Sequence, residues 1–221
     1  FGAMDPAPNW PSARWRRASP SVRRSTGRCR GVRKSRYTWS TPVEPQALTL
    51  RLDPGLAFGT GSHPTTRLCL EWLHAQVAGG ERVLDYGCGS GILAIAARKL
   101  GAASALGTDI DPQAMRASEA NARLNGVDAQ FVLPDALRPG TYDIVIANIL
   151  ANPLMVLAPA LAARVRPGGR IALSGILADQ VGAVAAAYAR WFTLAPWRAD
   201  DGWVLLAGAR AMNPRVVAAH R

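Results

Sequence analysis

Cysteine is scarce in this chain: Cys29, Cys69 and Cys88 are the only ones among 221 residues. Three scattered cysteines exclude a disulfide framework and a zinc site of ordinary ligand spacing. An odd number of thiols fits a reducing compartment, so a cytoplasmic location is expected. No apolar run reaches the length of a membrane span, so no membrane partner is expected. The first residues lack the apolar core of a signal peptide. Acidic side chains are also nearly missing from the front. Before residue 37, Asp5 stands alone against Arg14, Arg16, Arg17, Arg23, Arg24, Arg28, Arg30, Arg33, Lys34 and Arg36. The formal charge of +11 is therefore concentrated there, and from Thr38 onward the charge is nearly balanced.

A hydrophobic fraction of 49% is enough to fill the core of one α/β domain of this size. Phe1-Gly2-Ala3-Met4-Asp5-Pro6 reads as the scar of a cleaved expression tag. Residues 7–40 are rich in Arg, Ser, Pro and Trp, poor in aliphatics, and show neither a helix nor a strand period. The plain reading of residues 1–42 is a tag scar followed by a disordered basic arm or linker. The sharper reading is a weak RNA contact through residues 10–37, with Trp10, Trp15 and Trp39 as stacking surfaces.

From about Val43 to 210 the pattern is that of one folded domain, with 211–221 as a tail. Leu48-Thr49-Leu50-Arg51-Leu52 alternates like a strand, and a helix runs from about Thr65 to Val77. Further strands are expected at 82–86, 105–111, 128–133, 142–148 and 170–175, with helices at 92–100, 112–125, 154–165 and 178–191. Two last strands, at 192–196 and 203–207, read as a hairpin. Strands alternating with helices imply a mostly parallel, seven-stranded, Rossmann-like α/β sheet with helices on both faces and an antiparallel last strand. A monomer is expected.

The stretch Val83-Leu84-Asp85-Tyr86-Gly87-Cys88-Gly89-Ser90-Gly91 reads as a buried strand, a glycine turn and a helix start. Such a turn offers free backbone N–H groups and a positive dipole end to a nucleotide-like ligand. In open α/β sheets ligands bind at the carboxyl ends of the strands. Asp109, Asp135 and Asn148 lie at or just beyond three such ends. Asp109 can accept both hydrogen bonds of a ribose diol. It could instead cap the helix opened by Pro112, but Asp111 is better placed for that cap. The spacing Gly-x-Gly-x-Gly differs from the dinucleotide fingerprint Gly-x-Gly-x-x-Gly. Asp85 ahead of the loop would repel a pyrophosphate and suits a ligand amine or an ordered loop. Together these favour S-adenosylmethionine over a nicotinamide cofactor. Asn148 could accept an N–H from an incoming amine and aim its lone pair at a methyl group, or merely cap a strand end. No general base and no metal site is legible. Thr60, Thr65 and Thr66 could close over the ligand as part of a lid. His63 could face the acceptor or serve structurally. Cys88 reads as a small tolerated residue.

Residues 52–66 contain Leu52-Asp53-Pro54-Gly55, Phe58-Gly59-Thr60-Gly61-Ser62-His63 and Pro64-Thr65-Thr66. They closely resemble the signature of the PrmA family, which methylates large-subunit ribosomal protein eleven. Residues 83–91, Gly107-Thr108-Asp109-Ile110-Asp111-Pro112, Ala147-Asn148-Ile149-Leu150-Ala151 and Leu173-Ser174-Gly175-Ile176-Leu177 match as well. The resemblance implies a class I methyltransferase fold. It implies methyl transfer from S-adenosylmethionine to lysine and N-terminal amines of that ribosomal protein. It carries cofactor contacts over to Thr66, Gly87, Asp109 and Asn148. Thr60, Asp85 and Gly89 join them as cofactor-side candidates, and Asn148 is the catalytic candidate. The family places a separate recognition domain ahead of the catalytic one, where this chain has its basic stretch. Intact cofactor binding with impaired substrate docking is therefore expected. A methyltransferase for RNA or another protein, or an RNA-binding module led by the arm, is the alternative.

Overall fold

The computed structural model describes residues 49–53 and 63–212, together with the backbone of Arg23–Ser25 and Arg36–Trp39. Three short strands, β1 (Arg23–Ser25), β2 (Arg36–Trp39) and β3 (Leu50–Leu52), pair antiparallel in chain order. The first two fall in the stretch where no strand period is legible. Strands of three and four residues are too short to display a period of two, and they pair through backbone groups.

The main sheet holds β4 (Arg82–Tyr86), β5 (Ser104–Thr108), β6 (Gln130–Val132), β7 (Tyr142–Asn148), β8 (Val165–Leu177), β9 (Ala195–Asp200) and β10 (Trp203–Ala209). Their order is β6-β5-β4-β7-β8-β10-β9. All run parallel except β10, which is antiparallel to both neighbours. Helices α1 (Pro64–Gln76), α2 (Ile92–Lys99) and α3 (Pro112–Asn125) cover one face; α4 (Ala151–Val156), α5 (Ala158–Arg164) and α6 (Val181–Tyr188) cover the other. Alternation along β7 divides the core between them. Ile144 and Ile146 pack with Leu68, Leu73 and Ile95, while Val145 and Ala147 pack with Leu154, Leu161 and Leu173. The chain leaves β4 in one direction and returns to β7 on its other side. The carboxyl ends of β4 and β7 are thus the switch point where a doubly wound sheet opens a crevice.

Several element boundaries differ from the sequence expectation for local reasons. The helix expected over 154–165 is broken at Leu157, because Pro159 brings no N–H to the Met155 carbonyl and crowds it. The Tyr188 hydroxyl donates to the Leu154 carbonyl at 2.8 Å beside this break. The turn Pro167-Gly168-Gly169 is absorbed into β8 as a bulge, with register passing from Tyr142↔Val165 to Ile144↔Arg170. The final hairpin starts later than expected: β9 runs to Asp200, which pairs with Trp203 across Asp201-Gly202. Asp201 takes φ +49°, the left-handed geometry of a tight hairpin turn. Before α6, Ala178–Gln180 forms a 3-10 turn instead of the first turn of one long helix.

Tyr188 is fully buried. The Tyr188→Phe variant leaves the Leu154 carbonyl without that donor and is expected to lose about 1–2 kcal/mol in urea unfolding. An unchanged midpoint would show that the hydroxyl contributes nothing.

Candidate active site

The turn from β4 into α2 is the centre of the site. At its start, the N–H groups of Gly87 and Cys88 both donate to the Thr108 carbonyl at the end of β5, at 2.8 and 3.0 Å. Further on, the Gly89 N–H donates to Asp109 Oδ2 at 2.9 Å. The other Asp109 oxygen, Oδ1, accepts from the Asp111 N–H at 3.1 Å. Asp111 itself caps α3, accepting from the Gln113 N–H at 2.8 Å. The cap and the loop contact are thus divided between two acids. Asp109 remains half-buried at the crevice with acceptor capacity to spare, because each carboxylate oxygen can accept more than one hydrogen bond.

Asp85 lies beneath the loop and is completely buried. Gly91, at the N-cap of α2, has no side chain to offer. Asp85 Oδ2 takes over that task by accepting from the Ala94 N–H at 3.1 Å. Of the two roles open to this acid in the sequence, ordering of the loop is the one its described hydrogen bond serves. Its second oxygen has no hydrogen-bond partner. Burial, reinforced by the nearby Asp109 charge and opposed by the Ala94 N–H, raises its pKa to about 7.

Gly87 has φ +79°, and a Cβ there would lie 2.4 Å from Ile149 Cγ2. The loop and the 148–150 segment therefore touch across the crevice. Asn148, half-buried at the end of β7, donates from Nδ2 to the Thr66 hydroxyl at 3.3 Å. This bond ties the side chain to α1. It leaves Oδ1 as a free acceptor. Thr66 is itself buried in the first turn of α1.

The start of α4 borders a cavity of about 260 Å³, lined by Leu150, Ala151, Asn152, Pro153, Gly175, Leu177, Gln180 and Trp203. It contains no charged side chain.

The structure thus gathers Thr66, Asp85, Gly87, Gly89, Asp109 and Asn148 around one crevice. Thr60 lies outside the described residues. Asp135 sits exposed in the 3-10 turn Pro134–Ala136. His63 caps α1: its Nδ1 accepts from the Thr65 N–H, and its ring meets Trp203 edge-on at 5.1 Å. Cys88 is buried, and burial pushes its thiol pKa up, away from the thiolate that a nucleophile requires.

Three positioning residues escaped the sequence reading of roles. Asn121 donates to the Ser90 carbonyl at 3.0 Å and accepts from the Asp53 N–H at 2.9 Å, tying the glycine loop to β3's exit. Ser174, completely buried, donates to the Thr65 carbonyl at 3.3 Å. Gly175 (φ +87°) lets the Ile149 carbonyl pass where a Cβ would come within 2.3 Å. An asparagine on the inward face of α3 was the available signal for the first, and Leu173-Ser174-Gly175 for the others.

A seven-stranded sheet with one reversed strand, bearing a glycine loop and an acid at the next strand end, defines a protein of the class I methyltransferase fold. A ribosomal protein L11 methylase from Lactobacillus delbrueckii subsp. bulgaricus superposes with TM-score 0.69 and 40% identity, over 77% of this chain and 89% of that one. The family model described as ribosomal protein L11 methyltransferase (PrmA) matches residues 35–211, and the chain belongs to that family. A relative of that name in Cupriavidus metallidurans is 59% identical over 177 residues, and one in Chromobacterium violaceum is 62% identical over 173. These matches cover 80% and 78% of this chain, and the chain spans 58% of the length of each relative.

The Asp85 pKa gives a stability test. In the folded state the group holds its proton up to about 7, while unfolded it releases it near 3.8. Between these values the folded state binds more protons, so Asp85 makes stability fall as pH rises from about 4 to about 7. In Asp85→Asn this part of the slope is expected to vanish in denaturant titrations across that range. An identical slope in both proteins would contradict the assignment.

Proposed function

We propose that this chain transfers methyl groups from S-adenosylmethionine to lysine and N-terminal amines of ribosomal protein L11. The observation that carries the reading is the joining of two half-sites: Asp109 and the glycine loop on one side, Asn148 held by Thr66 on the other.

The residues present suit this cofactor. Asp109 keeps acceptor capacity for a ribose diol. The loop lets backbone approach closely, and an acid beside it disfavours a pyrophosphate. Asp85, buried beneath the loop, shapes it through the Ala94 N–H. When bound, S-adenosylmethionine supplies a methyl group on a positively charged sulfur.

The chain's part is then placement rather than acid–base chemistry. Asn148 Oδ1 accepts an N–H of the incoming amine and turns its lone pair toward the methyl carbon. Desolvation of the amine on entry favours its neutral, nucleophilic form over the ammonium. Bound S-adenosylmethionine would give up the methyl group and keep the electron pair of the C–S bond on its sulfur. The product nitrogen leaves positively charged and sheds its proton to water.

Mass spectrometry of ribosomal proteins incubated with the chain and isotopically labelled cofactor tests the reading, with label expected on amines of L11 but, because substrate docking is impaired, at a lower rate than with a full-length relative. Label in ribosomal RNA instead would assign a different acceptor. The Asn148→Ala variant is expected to lower kcat about 100-fold while weakening cofactor binding less than about tenfold. An unchanged kcat would remove Asn148 from the reaction.

A further inference from the structure

We infer that the pole of the sheet opposite the crevice is a binding surface for the phosphate backbone of structured RNA. The amino ends of the parallel strands β4, β7 and β8 meet there, together with the carboxyl end of the reversed β10. Each of these elements delivers arginine. Arg82 opens β4, Arg138 precedes β7, Arg164 and Arg166 flank the start of β8, Arg170 follows its bulge, and Arg210 follows β10. Two carboxylates at this pole face them: Asp143 pairs with Arg166, and Glu81 lies 3.8 Å from Arg170.

Asp143 also feels the charge of Arg82, while the guanidiniums of Arg164 and Arg210 are placed by backbone carbonyls. Arg164 donates to the Arg138 and Leu137 carbonyls. Arg210 donates to the Ala162 and Val165 carbonyls. Arg82 lies over the Tyr142 ring at 5.4 Å. Backbone carbonyls and a ring orient Arg164, Arg210 and Arg82, and six arginines against Asp143 and Glu81 leave positive charge over at this pole. Contacts link the set into one patch. Asp143 receives the Arg82 N–H as well as Arg166, and Arg210 pairs through its backbone with Gly168 and Gly169 of the bulge. The charge beyond residue 37 is nearly balanced in sum, but folding gathers an excess of its cations at one end.

Phosphate is the anion these groups suit. The planar fork of arginine matches phosphate oxygens two at a time. Several such forks on one face fit the repeated charges of a nucleic-acid backbone. An acidic protein partner would call for apolar anchors within the patch. Of the exposed apolar side chains, Ile110, Leu150 and Leu177 lie around the crevice at the opposite pole, while Met212 lies at this pole against Gly168. The inference is independent of methyl transfer. It adds a second, sequence-tolerant contact on the face away from the reacting atoms.

Fluorescence anisotropy of the full chain with a labelled RNA duplex, from about 50 to about 200 mM salt, tests it. The Arg82→Glu/Arg138→Glu variant is expected to bind at least about tenfold more weakly, with a log–log salt slope smaller by about two. The milder Arg82→Gln/Arg138→Gln variant, whose circular dichroism and unfolding midpoint are expected to stay close to the parent's, should show the same direction with a smaller loss. Unchanged affinity and slope in a folded variant of either kind would overturn the inference and leave any RNA binding to other parts of the chain. Polyglutamate displacing the duplex as well as unlabelled RNA of equal charge would overturn the RNA assignment in favour of an acidic polypeptide.

Discussion

Two buried or half-buried carboxylates hold the turn between β4 and α2, and the rest of the site depends on that grip. A glycine loop has no side chains with which to fix itself. Asp85 reaches from the strand before the loop to the helix after it, supplying the cap that Gly91 lacks. Asp109 reaches in from the neighbouring strand and takes the Gly89 N–H. With Thr108 receiving the N–H groups of Gly87 and Cys88, the loop is bound to β5 along most of its length. Desolvation raises the pKa of Asp85, so this grip carries an electrostatic cost inside the core. A loop shaped in advance has less backbone freedom to lose when a ligand arrives.

The acceptor side is built by a different device. Thr65 and Thr66, in the first turn of α1, are tied to two adjacent strands: Ser174 on β8 donates to the Thr65 carbonyl, and Asn148 on β7 donates to the Thr66 hydroxyl. Asn148 and Ser174 are register partners. Gly175 then allows the 148–150 segment to lie directly against β8. The orientation of the Asn148 amide is set by its hydrogen bond to Thr66 and by the packing of α1, β7 and β8 around it, and the proposed catalysis by positioning rests on that orientation. The two halves meet where Gly87 faces Ile149.

Much of this was legible in the sequence because it rests on local chemistry. The continuous apolar run Ile144-Val145-Ile146-Ala147 marks a central parallel strand, the triple glycine marks the turn, and Pro112 after Asp111 marks a capped helix. The division of labour between Asp109 and Asp111 followed from the same cap. What was not legible depends on contacts distant in sequence. Nothing local says that Asp85 caps a helix nine residues on instead of presenting itself openly to a ligand, or that Asn121 bridges Ser90 and Asp53. The break at Leu157 needed Pro159 to be weighed against a strong apolar pattern. The short pairing of β1 with β2 left no period to detect. Charge summed along the chain concealed the arginine pole, because a sum is blind to which ends of which strands meet.

The central claim is that Asp109 serves the loop and a ribose diol at once. Calorimetry comparing S-adenosylhomocysteine with its 2′,3′-dideoxy analogue, in the parent chain and in Asp109→Ala, tests it most directly. The account predicts that the parent prefers the diol ligand by about 1.5–3 kcal/mol and that the variant binds both ligands equally. Equal binding of the two ligands by the parent, or a preference that persists in Asp109→Ala, would contradict it.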